Sequence, residues 1–99
     1  MSQPEARLQR KIQDAVRAAG HFCFKVHGSE FMMSGLPDII VCARGHFIGL
    51  EVKLPSTRED VSRVQRLVHT KIEHAGGVAR VVCSAQEALD AIEAALSGE

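Results

Sequence analysis

The chain reads as an α/β domain in which a mixed central β-sheet is flanked by helices, with the element order α-β-β-β-α-β-α. Three observations predict this. Apolar residues recur at helical spacing in three separate segments. Two short β-branched runs in the first half are joined by a Gly-containing turn. A strand–helix–strand crossover links residues 47–53 to residues 78–83, and such connections favour parallel pairing. Ninety-nine residues suffice for one modest core, and residues 1–99 are read as a single domain.

The first element spans residues 5–19. Pro4 suits a first helical turn, with Ser2 or Gln3 standing in front of it. Leu8, Ile12, Ala15, Val16 and Ala19 make one stripe, and Gly20 ends it. Glu5 falls in the first turn, where the helix dipole favours a carboxylate. Capping explains it, and so does reaching over the sheet, because it sits at the edge of the buried stripe. Arg7, Arg10, Lys11 and Arg17 on the other faces are solvated charges or phosphate contacts.

Residues 21–27 alternate as a strand, with Phe22, Phe24 and Val26 on one side and Cys23 and Lys25 on the other. Lys25 is either a rim residue or, pointing with the acids described next, a phosphate contact. Residues 28–35 form a loop with an apolar centre, Phe31-Met32-Met33, suited to capping the core or to meeting a second subunit. Glu30 in that loop is a further candidate acid.

Residues 35–53 organise the rest. Ile39 to Ala43 and Phe47 to Val52 flank Arg44-Gly45, a hairpin pattern. With the loop centred there, partners across the ladder have numbers summing to 89, and Asp38 lies opposite Glu51. Directly opposed residues have Cβ atoms about 4.5–5.5 Å apart. Glu51 and Lys53 share that face, while Ile48, Leu50 and Val52 point the other way. Opposed carboxylates repel and raise each other's pKa unless something positive joins them. Two readings fit these three residues. A hard divalent cation such as Mg²⁺ or Mn²⁺ sits between the acids, or Lys53 neutralises Glu51 at a solvated strand end.

Downstream, Leu54-Pro55 stops the strand and Ser56-Thr-Arg-Glu59 reads as a capping box. The helix it opens carries Val61, Val64, Val68, Ile72 and Ala75 on one stripe and stops at Gly76-Gly77. Gln65 lies beside the stripe, where a glutamine is ordinarily solvated. Arg58, Arg63, Arg66, His69 and Lys71 give this segment most of its positive charge. Val78 to Cys83 is a buried strand. Ser84-Ala-Gln-Glu87 opens a last helix with Ala88, Leu89, Ile92, Ala95 and Leu96 inward; its outward Glu87, Asp90 and Glu93 turn it away from nucleic acid.

The ordered set Glu5, Gly35-Leu36-Pro37-Asp38, Glu51-Val52-Lys53 and Gln65 resembles the PD-(D/E)XK nuclease superfamily, and within it the VRR-NUC branch. The resemblance covers nearly the whole chain. It implies a restriction-endonuclease-like fold and Mg²⁺- or Mn²⁺-dependent phosphodiester hydrolysis on DNA. Asp38 and Glu51 are then metal ligands, with the backbone carbonyl of Val52 as a third oxygen. Lys53 orients or deprotonates water, Glu5 serves a water on the ion or a second ion, and Gln65 positions Lys53 or the phosphate. Lys25, Arg10, Arg58, Arg63 and Arg66 are the candidate DNA contacts. Small stand-alone members of the branch resemble Holliday-junction resolvases, which implies branched DNA as partner, a homodimer, and the cytoplasm of a bacterium or phage-infected cell.

Charge and composition agree with that setting. Residues 1–80 hold all twelve Lys and Arg against eight acids, a net +4, and residues 81–99 carry −4. A positive face is therefore compatible with an overall charge of zero. No apolar run nears the roughly 20 residues of a membrane span, so no membrane partner is expected. Cys23, Cys42 and Cys83 suit buried thiols in a reducing compartment better than disulfides. The five histidines lack zinc-site spacing, and no Gly-rich phosphate loop or other small-molecule cofactor motif is present. Two other classes fit the residues: an inactive nucleic-acid-binding module, and a small interaction subunit docking through its acidic last helix.

Overall fold

In the computed structural model, which describes residues 3–30 and 32–98, the chain forms a four-stranded sheet with helices on both faces. The elements are α1 (Pro4–Ala18), β1 (Phe22–Lys25), β2 (Ile39–Ala43), β3 (His46–Val52), a 3-10 turn (Pro55–Thr57), α2 (Arg63–His74), β4 (Val78–Val82) and α3 (Ala85–Leu96). Strands lie in chain order; β1–β2 and β2–β3 pair antiparallel and β3–β4 parallel. The predicted order and the parallel crossover are both present.

The hairpin has the predicted register. Ile39 pairs with Leu50 and Ala43 with His46, so partners do sum to 89. Arg44 at φ 51° and Gly45 at φ 84° close it in two residues, the doubly left-handed turn whose twist matches that of paired strands. Because side chains alternate, β2 and β3 send Ile39, Val41, Ala43, Ile48, Leu50 and Val52 to one face. There α1 and α3 bring Ile12, Val16, Ala88 and Ile92, and all ten residues are essentially inaccessible. This is the core.

The opposite face is covered on one half only. α2 lies over the β3–β4 side, with Ile72 near Gly49, while Phe22, Phe24 and Cys42 remain exposed on the other half and Phe47 of β3 is half exposed at the border between the two. Cys42 is thus not the buried thiol expected, because its strand position faces the uncovered half. Cys23 and Cys83 are buried, the latter one residue beyond β4.

Helix α2 starts later than predicted. Pro55–Thr57 makes a 3-10 turn held by the Thr57 hydroxyl, which accepts from Leu54 N–H at 3.1 Å. The capping box belongs to Ser62 and Gln65, not Ser56 and Glu59. Ser62 Oγ accepts from Gln65 N–H at 3.1 Å and Gln65 Oε1 from Ser62 N–H at 2.8 Å. Val61 consequently precedes the helix. Helix α3 begins as predicted at Ser84, whose hydroxyl accepts from Glu87 N–H at 3.0 Å. Met32 and Met33 are exposed and do not cap the core, Glu30 is exposed, and Phe31 and Ser2 lie outside the described residues. No helix among the described residues is long and apolar enough to cross a membrane.

Candidate active site

Two close approaches place the loop that carries Asp38. Gly35 has φ +86°, and a Cβ on it would lie 2.7 Å from Val64 on α2. Gly49 lets Pro37 sit on the sheet; a Cβ there would lie 2.5 Å from the proline ring. Pro37 is fully buried. The next residue, Asp38, enters the hairpin one step before β2. Its Oδ2 accepts from Val52 N–H at 2.8 Å, and its carbonyl oxygen accepts from Val26 N–H at 2.8 Å. Backbone bonds on both sides therefore hold the aspartate that the ladder places opposite Glu51.

Glu51 is 2% exposed, beneath α2. Its Oε2 accepts from Gln65 Nε2 at 2.9 Å. Gln65, expected to position Lys53 or the phosphate, holds the Glu51 carboxylate in the structure. Its Oε1 is committed to the capping box, so only the NH₂ end remains to reach the strand. An ammonium has no acceptor to offer that group, whereas a carboxylate does.

The electrostatics are those of a strained acid pair. Burial pushes the Glu51 pKa up to about 8. The charge of Asp38 and a side-chain hydrogen-bonding contact with it push the same way, and Glu5 adds a smaller push; Lys53 opposes them. Burial beside a second carboxylate thus favours the protonated form of Glu51.

His69, one helical turn after Gln65, sets its Nε2 3.6 Å from Glu51 Oε1. Neither atom has a hydrogen-bond partner among the described residues, and both are buried. Burial lowers the imidazole pKa, so near neutral pH the two groups meet uncharged and not as an ion pair. From the sequence, His69 reads as part of the positive charge of this segment and as a histidine without zinc-site spacing, not as a partner of Glu51. The usable signal was its i+4 spacing from Gln65, which puts both side chains on one helical face.

The remaining candidates fall into two groups. Glu5 lines a groove of about 480 Å³ with Gln9, Lys25 and Leu54 at the N-terminal end of α1. Lys25 pairs with Ile39, so it points to the core side of the sheet and reaches the site only around its rim. Arg10 and Arg63 are exposed. Arg58 is held by Glu87 at 2.6 Å, and Arg66 donates to the carbonyl of Val61.

Among the described residues, no three His, Cys, Asp or Glu side chains converge as a metal cluster. The donor set is the Asp38–Glu51 pair, with one buried Glu51 oxygen left without a hydrogen-bond partner. That set fits a Mg²⁺-type ion, which takes one or two carboxylates and fills its other positions with water and substrate phosphate.

No family model and no curated protein matches the chain. Among solved structures it is similar to one described as a VRR_NUC domain, with a TM-score of 0.74 and 28% identity over 93% of this chain and 97% of that one. Four strands in this order with helices on both faces accord with that likeness: the chain has the VRR-NUC nuclease fold.

Proposed function

We propose that this protein is a divalent-metal-dependent DNA endonuclease that cuts branched DNA, four-way junctions above all, as a homodimer in the cytoplasm of a bacterium or phage-infected host. The observation that carries the reading is the meeting of Asp38 and Glu51 under α2, with the Glu51 pKa raised to about 8. A cost of this kind in an otherwise well-packed domain is offset when a cation joins the pair.

Asp38 and Glu51 hold the ion, and the Val52 carbonyl is a third oxygen at the same strand end. When bound, Mg²⁺ or Mn²⁺ activates water, stabilises charge at phosphorus and assists the leaving oxygen. Lys53, on the Glu51 face and half-buried, orients or deprotonates the attacking water and offsets phosphate charge. Glu5 contributes negative charge from the far side of the groove. Gln65 keeps the Glu51 carboxylate turned towards Asp38. Lys25, which lines the groove with Glu5, meets the DNA backbone together with the exposed Arg10 and Arg63, and Arg58 and Arg66 add charge from pinned positions.

A dimer is supported by the uncovered half-sheet. Phe22 is 66%, Phe24 46% and Phe47 47% exposed. A standard interface needs about 800 Å² per partner, and three half-exposed rings supply roughly 300 Å² of its apolar centre. Two sites related by a twofold axis suit symmetric nicking of a junction.

The test is incubation of a labelled four-way junction and a linear duplex with Mg²⁺, with Mn²⁺ and with chelator. Paired symmetric nicks in the junction that vanish with chelator are expected. Binding without cutting would overturn the catalytic reading in favour of a nucleic-acid-binding module. Neither binding nor cutting would leave an interaction subunit.

A further inference from the structure

We infer that His69 is a positioning residue for the metal-holding pair: its Nε2–H is the second of two donors with which α2 brackets the Glu51 carboxylate, one at each oxygen. The inference rests on the metal-dependent reading above and adds to it a residue that neither the ordered motif nor the expected metal set contains.

Four observations converge on it. Gln65 and His69 are four residues apart, so they leave α2 on the same face. Gln65 Nε2 already donates to Oε2 at 2.9 Å, and His69 Nε2 faces the other oxygen, Oε1, at 3.6 Å. Both Nε2 and Oε1 are buried, and neither has another partner among the described residues. The imidazole itself is 15% exposed and Glu51 2%. A histidine serving only as core filling would bond its ring nitrogens elsewhere or leave them in solvent.

At 3.6 Å the contact is longer than a hydrogen bond, and a side-chain shift of some tenths of an ångström closes it. A donor is needed there for a physical reason. Asp38 repels an ionised Glu51, and a carboxylate free to rotate would turn away from it. An ion sees both acids only if Glu51 is held against that repulsion. Gln65 alone fixes one oxygen and leaves the carboxylate to pivot about it; a second donor at Oε1 fixes its plane. Each carboxylate oxygen has two lone-pair sites, so accepting from α2 leaves room for an ion. Partners that orient a ligating carboxylate typically change metal affinity 10- to 100-fold.

The test is Mn²⁺ binding by isothermal titration calorimetry, which does not depend on cleavage, on the unaltered protein, His69→Met and His69→Gln. Met keeps the apolar bulk without a donor. Gln places an amide N–H near the position of Nε2. We expect His69→Met to weaken Mn²⁺ binding about 10-fold or more, and His69→Gln to stay within about threefold of the unaltered protein. Thermal melts of both variants, expected to remain cooperative, separate this from misfolding; should His69→Met fail to fold, weakened binding in His69→Gln would still overturn the inference. Unchanged affinity in His69→Met would overturn it too. Equal losses in Met and Gln would also overturn it, since the ring would then be acting other than as a donor. Absence of Mn²⁺ binding by the unaltered protein is a different result: it sinks the metal-dependent reading itself.

Discussion

The two faces of β3 are built from alternate residues of one seven-residue strand and its next residue, yet they do opposite things. Ile48, Leu50 and Val52 enter a dry layer closed by α1 and α3. Gly49, Glu51 and Lys53 face a side that α2 covers only over the β3–β4 half. Leu50 is 0% and Glu51 2% exposed, so extent of burial does not separate core from site. The consequence of burial does. Removing Leu50 from water is favourable in itself, whereas removing Glu51 beside Asp38 disfavours its charged form. Stability is concentrated on one face of the sheet and, on the proposed reading, chemistry on the other.

The sharpest way to break this contrast is to mutate the chemical face alone. Asp38→Ala, Glu51→Ala and Lys53→Ala should each abolish junction cleavage, with Lys53→Ala costing at least about 10²- to 10⁴-fold in rate. Circular dichroism should show all three folded. A Lys53→Ala protein cutting at the normal rate would end the proposed mechanism. On the other face, Leu50→Ala should lower unfolding free energy by about 2–5 kcal/mol in urea titrations. If Leu50→Ala cost no more than Glu51→Gln, the division of labour would not hold.

Gly49→Ala crosses between the faces. Its Cβ meets the Pro37 ring at 2.5 Å, so it should cost about 1–3 kcal/mol by overpacking. It should also lower cleavage by displacing Asp38, and normal activity in a destabilised Gly49→Ala protein would show that Pro37 does not set the aspartate. The remaining effect is in pH. Glu51 titrates near 8 when folded and near its ordinary value of 4.5 when unfolded. Between those values the folded chain holds a proton that the unfolded chain releases. The Glu51 contribution is therefore full below about pH 4.5, declines as pH rises to about 8, and is flat above that. Without added divalent ions, the stability of the unaltered protein relative to Glu51→Gln should fall across this window. A flat difference would mean that Glu51 is not raised.

Much of the site was legible because it rests on short-range geometry. A two-residue turn leaves one register for a hairpin, and a side-chain period of two then assigns each residue its face. That is why Asp38 could be set opposite Glu51 from their numbers. Lys25 could not be oriented in the same way. Thirteen residues, 26–38, separate β1 from β2, and a loop that long imposes no register. Cys42 was expected to be buried because strand cysteines usually are, yet its face is the half that α2 leaves open.

What the sequence by itself determined was the hairpin, the apolar stripes of α1 and α3 and the crossover, each dictated by spacing within one element or across one tight turn. Of the stripe expected on α2 only Val68 is buried, Val61 preceding the helix and Val64 being 47% exposed. Only the tertiary structure decided where α2 begins, since two capping boxes compete in the sequence. Ser62 heads the helix in a fold where Val64 packs on Gly35 and Pro55–Thr57 is taken up by a separate turn. That choice in turn sends Gln65 to Glu51 and sets His69 beside the other oxygen. Spacing along a chain specifies which side chains leave an element together, but not what another element will place in front of them.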